Sequence, residues 1–275
     1  MIGKAYAAGT ILNALATGIG CAFGIDLKTI AKVKIDSENV FIVNGENRNP
    51  EILNKILSHF GIKAQVILKS DIPERSGLGS SSAFINAVLC AIMKKEDLFA
   101  HKILRLNAEL SLKAGISYTG AFDDASASLL SGVVLSDNYK MKLYSWIPFT
   151  KRTAVLIPEF KRGKVDWDKI KSQGERLKNA LEKLKKLEFR EVMVENTKFY
   201  CEMIGYPLEI AERLWKEDIC CGLSGNGPAF VAIGNDDEIS TAKEVWKEYG
   251  EVIIGKIPEK PAEEVVITSD LFISP

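Results

Sequence analysis

Pro73-Glu74-Arg75-Ser76-Gly77-Leu78-Gly79-Ser80-Ser81-Ser82-Ala83 is the stretch from which the rest of the chain can be read. It follows a run, Ile62 to Ile72, whose alternation predicts a strand. It opens another, Ser82 to Met93, in which Ala83, Ala87, Val88, Ala91 and Ile92 share one helical stripe. A glycine-rich turn between a strand and a helix aims backbone N–H groups at one point, and the helix N-terminus adds partial positive charge there. The ligand that suits such a turn is a phosphate, and the serine hydroxyls are within the repertoire of groups that reach a phosphate-bound magnesium ion. A plain tight turn with a serine N-cap would use the same residue types. The pattern GxxxxGK[ST] occurs nowhere in the chain, which excludes a Walker A loop.

Outward from this loop, the β-branched run Val33 to Val43, broken by Asp36-Ser37-Glu38-Asn39, predicts a hairpin, and Pro50 to Phe60 a helix stopped by Gly61. Asp97 is the expected N-cap of a helix running to about Ala114, and Ala125 to Leu130 a further short helix before a strand at Gly132 to Leu135. Thr153 to Ile157 reads as a strand and Asp166 to Leu187 as one charged helix. Helices at Glu188–Ile204 and Pro207–Trp215 follow, then strand Pro228–Ile233, helix Asp236–Tyr249, strand Glu251–Ile257 and an edge strand at Val265–Thr268. This mixture predicts an α+β architecture, with domains at residues 1–148 and 149–275.

The chain has 275 residues and is 47% apolar, enough for one large or two modest cores. Lys+Arg and Asp+Glu both number 36, so neither nucleic acid nor an anionic membrane is an expected partner, and an anionic substrate must be held by local groups. No run of 18 apolar residues and no signal-peptide pattern occur; a cytoplasmic location is the expectation. Five cysteines without a CxxC spacing predict buried thiols, and His59 and His101 have no partner at metal or triad spacing.

Two further constellations carry chemistry. Glu109 lies among Leu106, Ala108, Leu110 and Leu112, and Asp123-Asp124 follows Thr119-Gly120-Ala121-Phe122. Phosphoryl transfer needs a phosphate cradle, a metal ligand and a group that orients or deprotonates the nucleophile, and these carboxylates can supply the last two. An exposed helix face for Glu109 and an N-cap pair for the aspartates are the structural alternatives. The other constellation, Ser224-Gly225-Asn226-Gly227-Pro228 after Cys221-Gly222-Leu223, is a second glycine-rich loop leading into a strand. Its glycines predict backbone that approaches something closely.

These segments together resemble the GHMP kinase superfamily. Pro73 to Ser82 matches its PxxxGLGSSA motif with Ser82 in place of alanine. Ser224 to Pro228 matches its SGxGP-type loop. The first segment, Ala8-Gly9-Thr10-Ile11-Leu12-Asn13-Ala14-Leu15-Ala16-Thr17-Gly18, departs from the PGKxxLxGEH pattern. Together with Thr-Gly-Ala-Phe-Asp-Asp-Ala it resembles the archaeal-type shikimate kinases, which are unrelated to the P-loop shikimate kinases. The resemblance implies a ribosomal-protein-S5-like N-terminal domain and a ferredoxin-like C-terminal α/β sandwich. It implies ATP and Mg²⁺ as cofactors and shikimate, phosphorylated at its 3-hydroxyl, as the small-molecule partner. By the same resemblance Pro73, Glu74, Arg75, Ser76, Gly77, Leu78, Gly79, Ser80, Ser81, Ser82 and Ala83, with Ser224, Gly225, Asn226 and Gly227, form the nucleotide site. Ser81 or Ser80 holds the metal with Glu109, Asp123 or Asp124 acts on the hydroxyl, and Thr10, Asn13, Thr17 and Gly18 line the acceptor pocket. Arg75 and Arg152 are the candidates for the substrate carboxylate. Homoserine kinase or another GHMP small-molecule kinase is the alternative activity, although the P-x-S-x-A-N-L-G-P-G-F-D opening expected of homoserine kinases is absent. A sensor on the same fold needs neither Glu109 nor the aspartate pair. The sequence leaves monomer and homodimer open.

Overall fold

A computed structural model of the chain describes residues 1–94 and 97–273. The frame of the first half is the antiparallel pair β1 (Ile2–Leu12) and β2 (Ile19–Ile35). One edge of β2 carries β1. The other is shared by β5 (Ala64–Ser70), paired with Thr29 to Ile35, and β6 (Val133–Asp137), paired with Ile19 to Phe23. β3 (Val40–Val43), β4 (Glu46–Asn47) and β7 (Lys142–Ile147) complete this sheet. The expected hairpin at 33–43 does not form. β5 inserts between β2 and β3, so β3 pairs in parallel with β5, and Asn39 in the connection accepts a hydrogen bond from the Ala64 N–H at 3.1 Å.

Helix α1 (Glu51–His59) buries Leu53, Ile56 and Leu57. α2 (Ser80–Met93) and α4 (Phe122–Leu130) pack on β1 and β2, with α3 (Ala100–Lys113) against both helices. Both α2 and α4 begin two or three residues earlier than the apolar periodicity predicts, which brings Ser80, Ser81, Asp123 and Asp124 into first turns. Phe122 is fully buried, an anchor of the kind that contributes about 1.5–3 kcal/mol. Phe99, not Asp97, stands at the N-cap position of α3, and it makes no side-chain capping bond. Val266 forms a single β-bridge with Phe99, and its carbonyl takes the Ala100 N–H at 2.9 Å; this replaces the expected edge strand at 265–268.

In the second half, β8 (Arg152–Pro158), β9 (Cys220–Leu223), β10 (Phe230–Gly234) and β11 (Gly250–Lys256) form an antiparallel sheet in the order β11-β8-β10-β9. α7 (Phe189–Ile204), α8 (Glu209–Trp215) and α9 (Asp236–Trp246) pack on it. The predicted single helix over 166–187 is broken into α5 (Trp167–Ser172), a 3₁₀ turn at Gly174–Leu177 and α6 (Lys178–Lys185). The break falls where Gly174 meets the turn after β1; a Cβ there would lie 2.8 Å from the Ala16 carbonyl oxygen. The five cysteines are free thiols, four of them buried.

Candidate active site

β5 delivers the chain into the glycine loop, and Gly77 (φ +89°) and Gly79 (φ +64°) turn it into α2. No side chain caps this helix, its first turn has no acidic residue, and the N–H groups of Ser80, Ser81 and Ser82 have no acceptor among the described residues. An uncapped helix end opening into a cleft fits phosphate oxygens. Glu74, Arg75, Gly77, Gly79, Ser80, Ser81 and Ser82 line that cleft, which has a volume of about 760 Å³, of the size that holds a small ligand. Pro73, Ser76, Leu78 and Ala83 do not. Ser76 spends its hydroxyl on the Pro73 carbonyl at 2.8 Å. Leu78 is in the core, its carbonyl accepting the Ala8 N–H at 3.0 Å, and Ala83 is buried beneath the loop.

The second glycine loop is fastened to the first. The Ser224 hydroxyl donates to the Gly77 carbonyl at 2.8 Å, and the Ala229 N–H donates to the Ser76 carbonyl at 2.9 Å. A Cβ on Gly77 would come within 2.2 Å of the Ser224 carbonyl oxygen. The close approach predicted for this loop is thus an approach to the other loop and, at Gly227, to the Tyr206 ring. Gly225 and Asn226 reach the cleft; Ser224 and Gly227 stand behind it.

Asp123 and Asp124 open α4 after Ala121, which sits in the left-handed region at φ +49°. Asp123 is buried and clamped by Asn138, whose Nδ2 donates to the carboxylate at 2.8 Å and whose Oδ1 accepts the Asp123 N–H at 3.1 Å. Asn138 is itself held by the Ser136 hydroxyl at 2.7 Å and by its own N–H on the Gly18 carbonyl at 2.9 Å. The other carboxylate oxygen lies over β2 at Gly20, where a Cβ would be 2.2 Å away. Burial raises the Asp123 carboxyl from its ordinary range, while Asn138 and backbone N–H groups pull the other way. Asp124 is half-buried beside the phosphate loop; its Cβ would be 3.5 Å from one placed on Gly79. It is raised well above its ordinary value, first by burial and then by the charge of Asp123, and it has no hydrogen-bond donor or ion-pair partner among the described residues.

Glu109 is not part of this cluster. It sits two residues from Asn107, roughly 200° around α3 at about 3.6 residues per turn. Asn107 faces inward, donating to the Ser82 carbonyl at 2.9 Å, whereas Glu109 faces out at 42% exposure beside Arg105, 3.6 Å away. Ser81 and Asp124 both line the cleft and Glu109 does not, so the expected Ser81–Glu109 pair does not meet there.

The turn after β1 divides in the same way. Thr10 and Asn13 line the cleft, the Thr10 hydroxyl oxygen accepting the Gly225 N–H at 2.8 Å and Asn13 Nδ2 donating to Asn226 Oδ1 at 2.9 Å. Thr17 and Gly18 lie outside it: the Thr17 hydroxyl serves Ile19, and Gly18 packs under Tyr139. Tyr200 donates to the Asn13 carbonyl at 3.2 Å; burial raises its hydroxyl, and Asp123 is close enough to add to that. Arg152 is remote, paired with Asp236 at 3.0 Å. The sequence reading passed over Gly20, Asn138, Arg48 and Arg162. The two arginines line the cleft but stand in no motif. Tyr118 at the cleft edge stacks on Trp167 with ring centroids 5.3 Å apart, joining the 115–119 loop to the second half of the chain.

Residues 48–132 match the family model described as GHMP kinases N terminal domain. A protein named shikimate kinase from Archaeoglobus fulgidus is 52% identical over 274 residues, covering 99% of this chain and 98% of that one. Another from Pyrococcus furiosus is 37% identical, covering 92% and 97%. Among solved structures, Methanococcus jannaschii mevalonate kinase superposes with a TM-score of 0.67 at 16% identity, covering 94% of this chain and 98% of the other. Homoserine kinase from Cytophaga hutchinsonii gives 0.67 at 16%, covering 94% and 96%. These two likenesses speak to the fold alone.

Proposed function

The chain belongs to the archaeal-type shikimate kinases of the GHMP kinase superfamily, with their α+β fold, and from that premise we propose a division of labour for its cleft. It is a small-molecule kinase that phosphorylates shikimate. In our reading the γ-phosphoryl group of ATP passes to the shikimate 3-hydroxyl. Asp123 takes the hydroxyl proton as the oxygen attacks phosphorus in line with the departing ADP oxygen. The N–H groups at the start of α2 hold the phosphate oxygens as charge shifts onto the leaving group. Gly225, Asn226, Thr10 and Asn13 shape the junction between nucleotide and acceptor. The observation that carries this reading is Asp123, clamped by Asn138 in the wall of the cleft that the phosphate loop, Thr10 and Asn13 also line.

Ser81 and Asp124 would hold Mg²⁺, which when bound neutralises phosphate charge. The fit rests on Asp124: a carboxylate beside another carboxylate, without a donor or cation of its own among the described residues, is a poor resident of a half-buried site unless a cation joins it.

ATP turnover measured with shikimate, homoserine and mevalonate in parallel tests the proposal. Turnover on shikimate alone is expected. A clear rate on homoserine or mevalonate with none on shikimate would overturn it.

A further inference from the structure

Shikimate presents a carboxylate on one ring carbon and its 3-hydroxyl on another, so the group that reads the carboxylate must approach the ring away from Asp123. A guanidinium is the side chain best shaped to take a carboxylate through two parallel hydrogen bonds. Among the described residues the basic side chains lining the cleft are Arg48, Arg75 and Arg162. Arg48 is already occupied, contacting Glu46 at 3.0 Å and Glu74 at 2.7 Å. Arg75 belongs to the phosphate loop itself, two residues before Gly77, and its backbone is set in the left-handed region at φ +58°. Arg162 has no carboxylate partner among the described residues and enters the cleft from the connection after β8.

The connection that carries Arg162 is tied to the second glycine loop and, through Asn226, to Asn13. The N–H of Gly163 donates to the Tyr206 hydroxyl at 2.8 Å, and that hydroxyl donates to the Asn226 carbonyl at 3.0 Å. Asn226 Oδ1 in turn accepts from Asn13. Burial raises the Tyr206 hydroxyl, with the Gly163 N–H and the Arg162 charge pulling it back, so the guanidinium is within electrostatic reach of this chain of contacts. Resting on the shikimate kinase reading, we propose that Arg162 is the specificity-determining residue that binds the substrate carboxylate, with Arg75 serving the nucleotide phosphates. The segment around Arg162 also meets the 115–119 loop, which lines the same cleft, through the Tyr118–Trp167 stack.

The test compares shikimate with its methyl ester, which keeps the 3-hydroxyl and removes the negative charge, in the wild type, Arg162→Ala, Arg162→Lys and Arg75→Ala. Loss of a charge-assisted, bidentate pair is expected to lower wild-type kcat/KM on the ester by about 10- to 100-fold. Arg162→Ala should lose a similar factor on shikimate, no longer distinguish acid from ester, and keep its KM for ATP and its melting temperature. Arg162→Lys should recover part of the discrimination, because a point charge lacks the fork. Arg75→Ala should raise the KM for ATP and still prefer the acid. The assignment is overturned if Arg162→Ala prefers the acid as strongly as the wild type does, or if Arg75→Ala is the variant that loses the preference. A wild type with no rate on shikimate would instead overturn the underlying activity and leave the ester comparison without a substrate, so the two failures are distinguishable.

Discussion

Replacing Gly20 by alanine perturbs the Asp123 carboxylate, proposed to act on the hydroxyl, without changing it chemically. The added Cβ would lie 2.2 Å from one Asp123 carboxylate oxygen, and ordinary contact begins at 3.4 Å, so the carboxylate has to retreat by about 1 Å. Its other oxygen is held by Asn138 at 2.8 Å, and that bond cannot survive such a shift at full strength. A misplacement of about 1 Å in a reacting group costs on the order of 10²-fold in rate, and overpacking at a buried site costs about 1–3 kcal/mol of stability. The expected result is therefore a kcat about 100-fold lower on shikimate and a melting temperature lower by several degrees. The dissociation constant for ATP, measured by titration without the acceptor, stays at its wild-type value because the phosphate loop is untouched. A folded Gly20→Ala enzyme with near-wild-type kcat would refute the placement of Asp123 at the reacting hydroxyl.

Asp123→Asn should retain ATP binding and lose about 10²- to 10⁴-fold in kcat, the span attributed to a general base, as read by coupled ADP release. The acid limb of the wild-type pH–rate profile should lie above the ordinary aspartate range, because burial raises this carboxyl and the rate grows as it deprotonates. Asp124→Asn bears on stability. A carboxyl whose folded value is raised keeps its proton where the unfolded chain has lost it, so wild-type stability falls as pH climbs from the unfolded value of about 4 through the folded one. Thermal melts without ATP or Mg²⁺ should therefore show Asp124→Asn matching the wild type near the low end of that window and exceeding it increasingly above. An unchanged difference across the range would count against the buried-charge account. Glu109→Gln should leave the Mg²⁺ dependence of turnover within experimental scatter of the wild type, whereas Asp124→Asn shifts it to higher Mg²⁺; the reverse pattern would restore Glu109 to the metal site.

The parts of the site legible in the sequence were those encoded locally. Gly77, Gly79 and the serines after them specify a turn and a helix start through backbone conformation alone, and Asp123-Asp124 after Gly120 does nearly the same. The outward placement of Glu109 is not legible in sequence, because Leu106, Ala108, Leu110 and Leu112 flank it on both sides. Only the packing of α3 against α2 through Asn107 decides which flank is inside. The hairpin at 33–43 failed for a related reason: β5, some twenty residues on, competes for the edge of β2 and wins. Asn138, Gly20 and Arg162 carry no motif. Their roles exist only through contacts with Asp123, the cleft and Tyr206, which come from other elements.

The fastening of the two glycine loops bears on how the protein comes into being. Ser224 and Gly77 are separated by 147 residues, and Gly225 and Thr10 by 215. A nascent chain emerging from the ribosome exposes the phosphate loop long before the segment that braces it exists. For most of synthesis that loop is a turn without its backing, and ATP has little to select. Contacts this distant in sequence form late and slowly. On the nucleotide reading proposed for the cleft, ATP would therefore report on a chain whose last third has folded rather than aid its early steps.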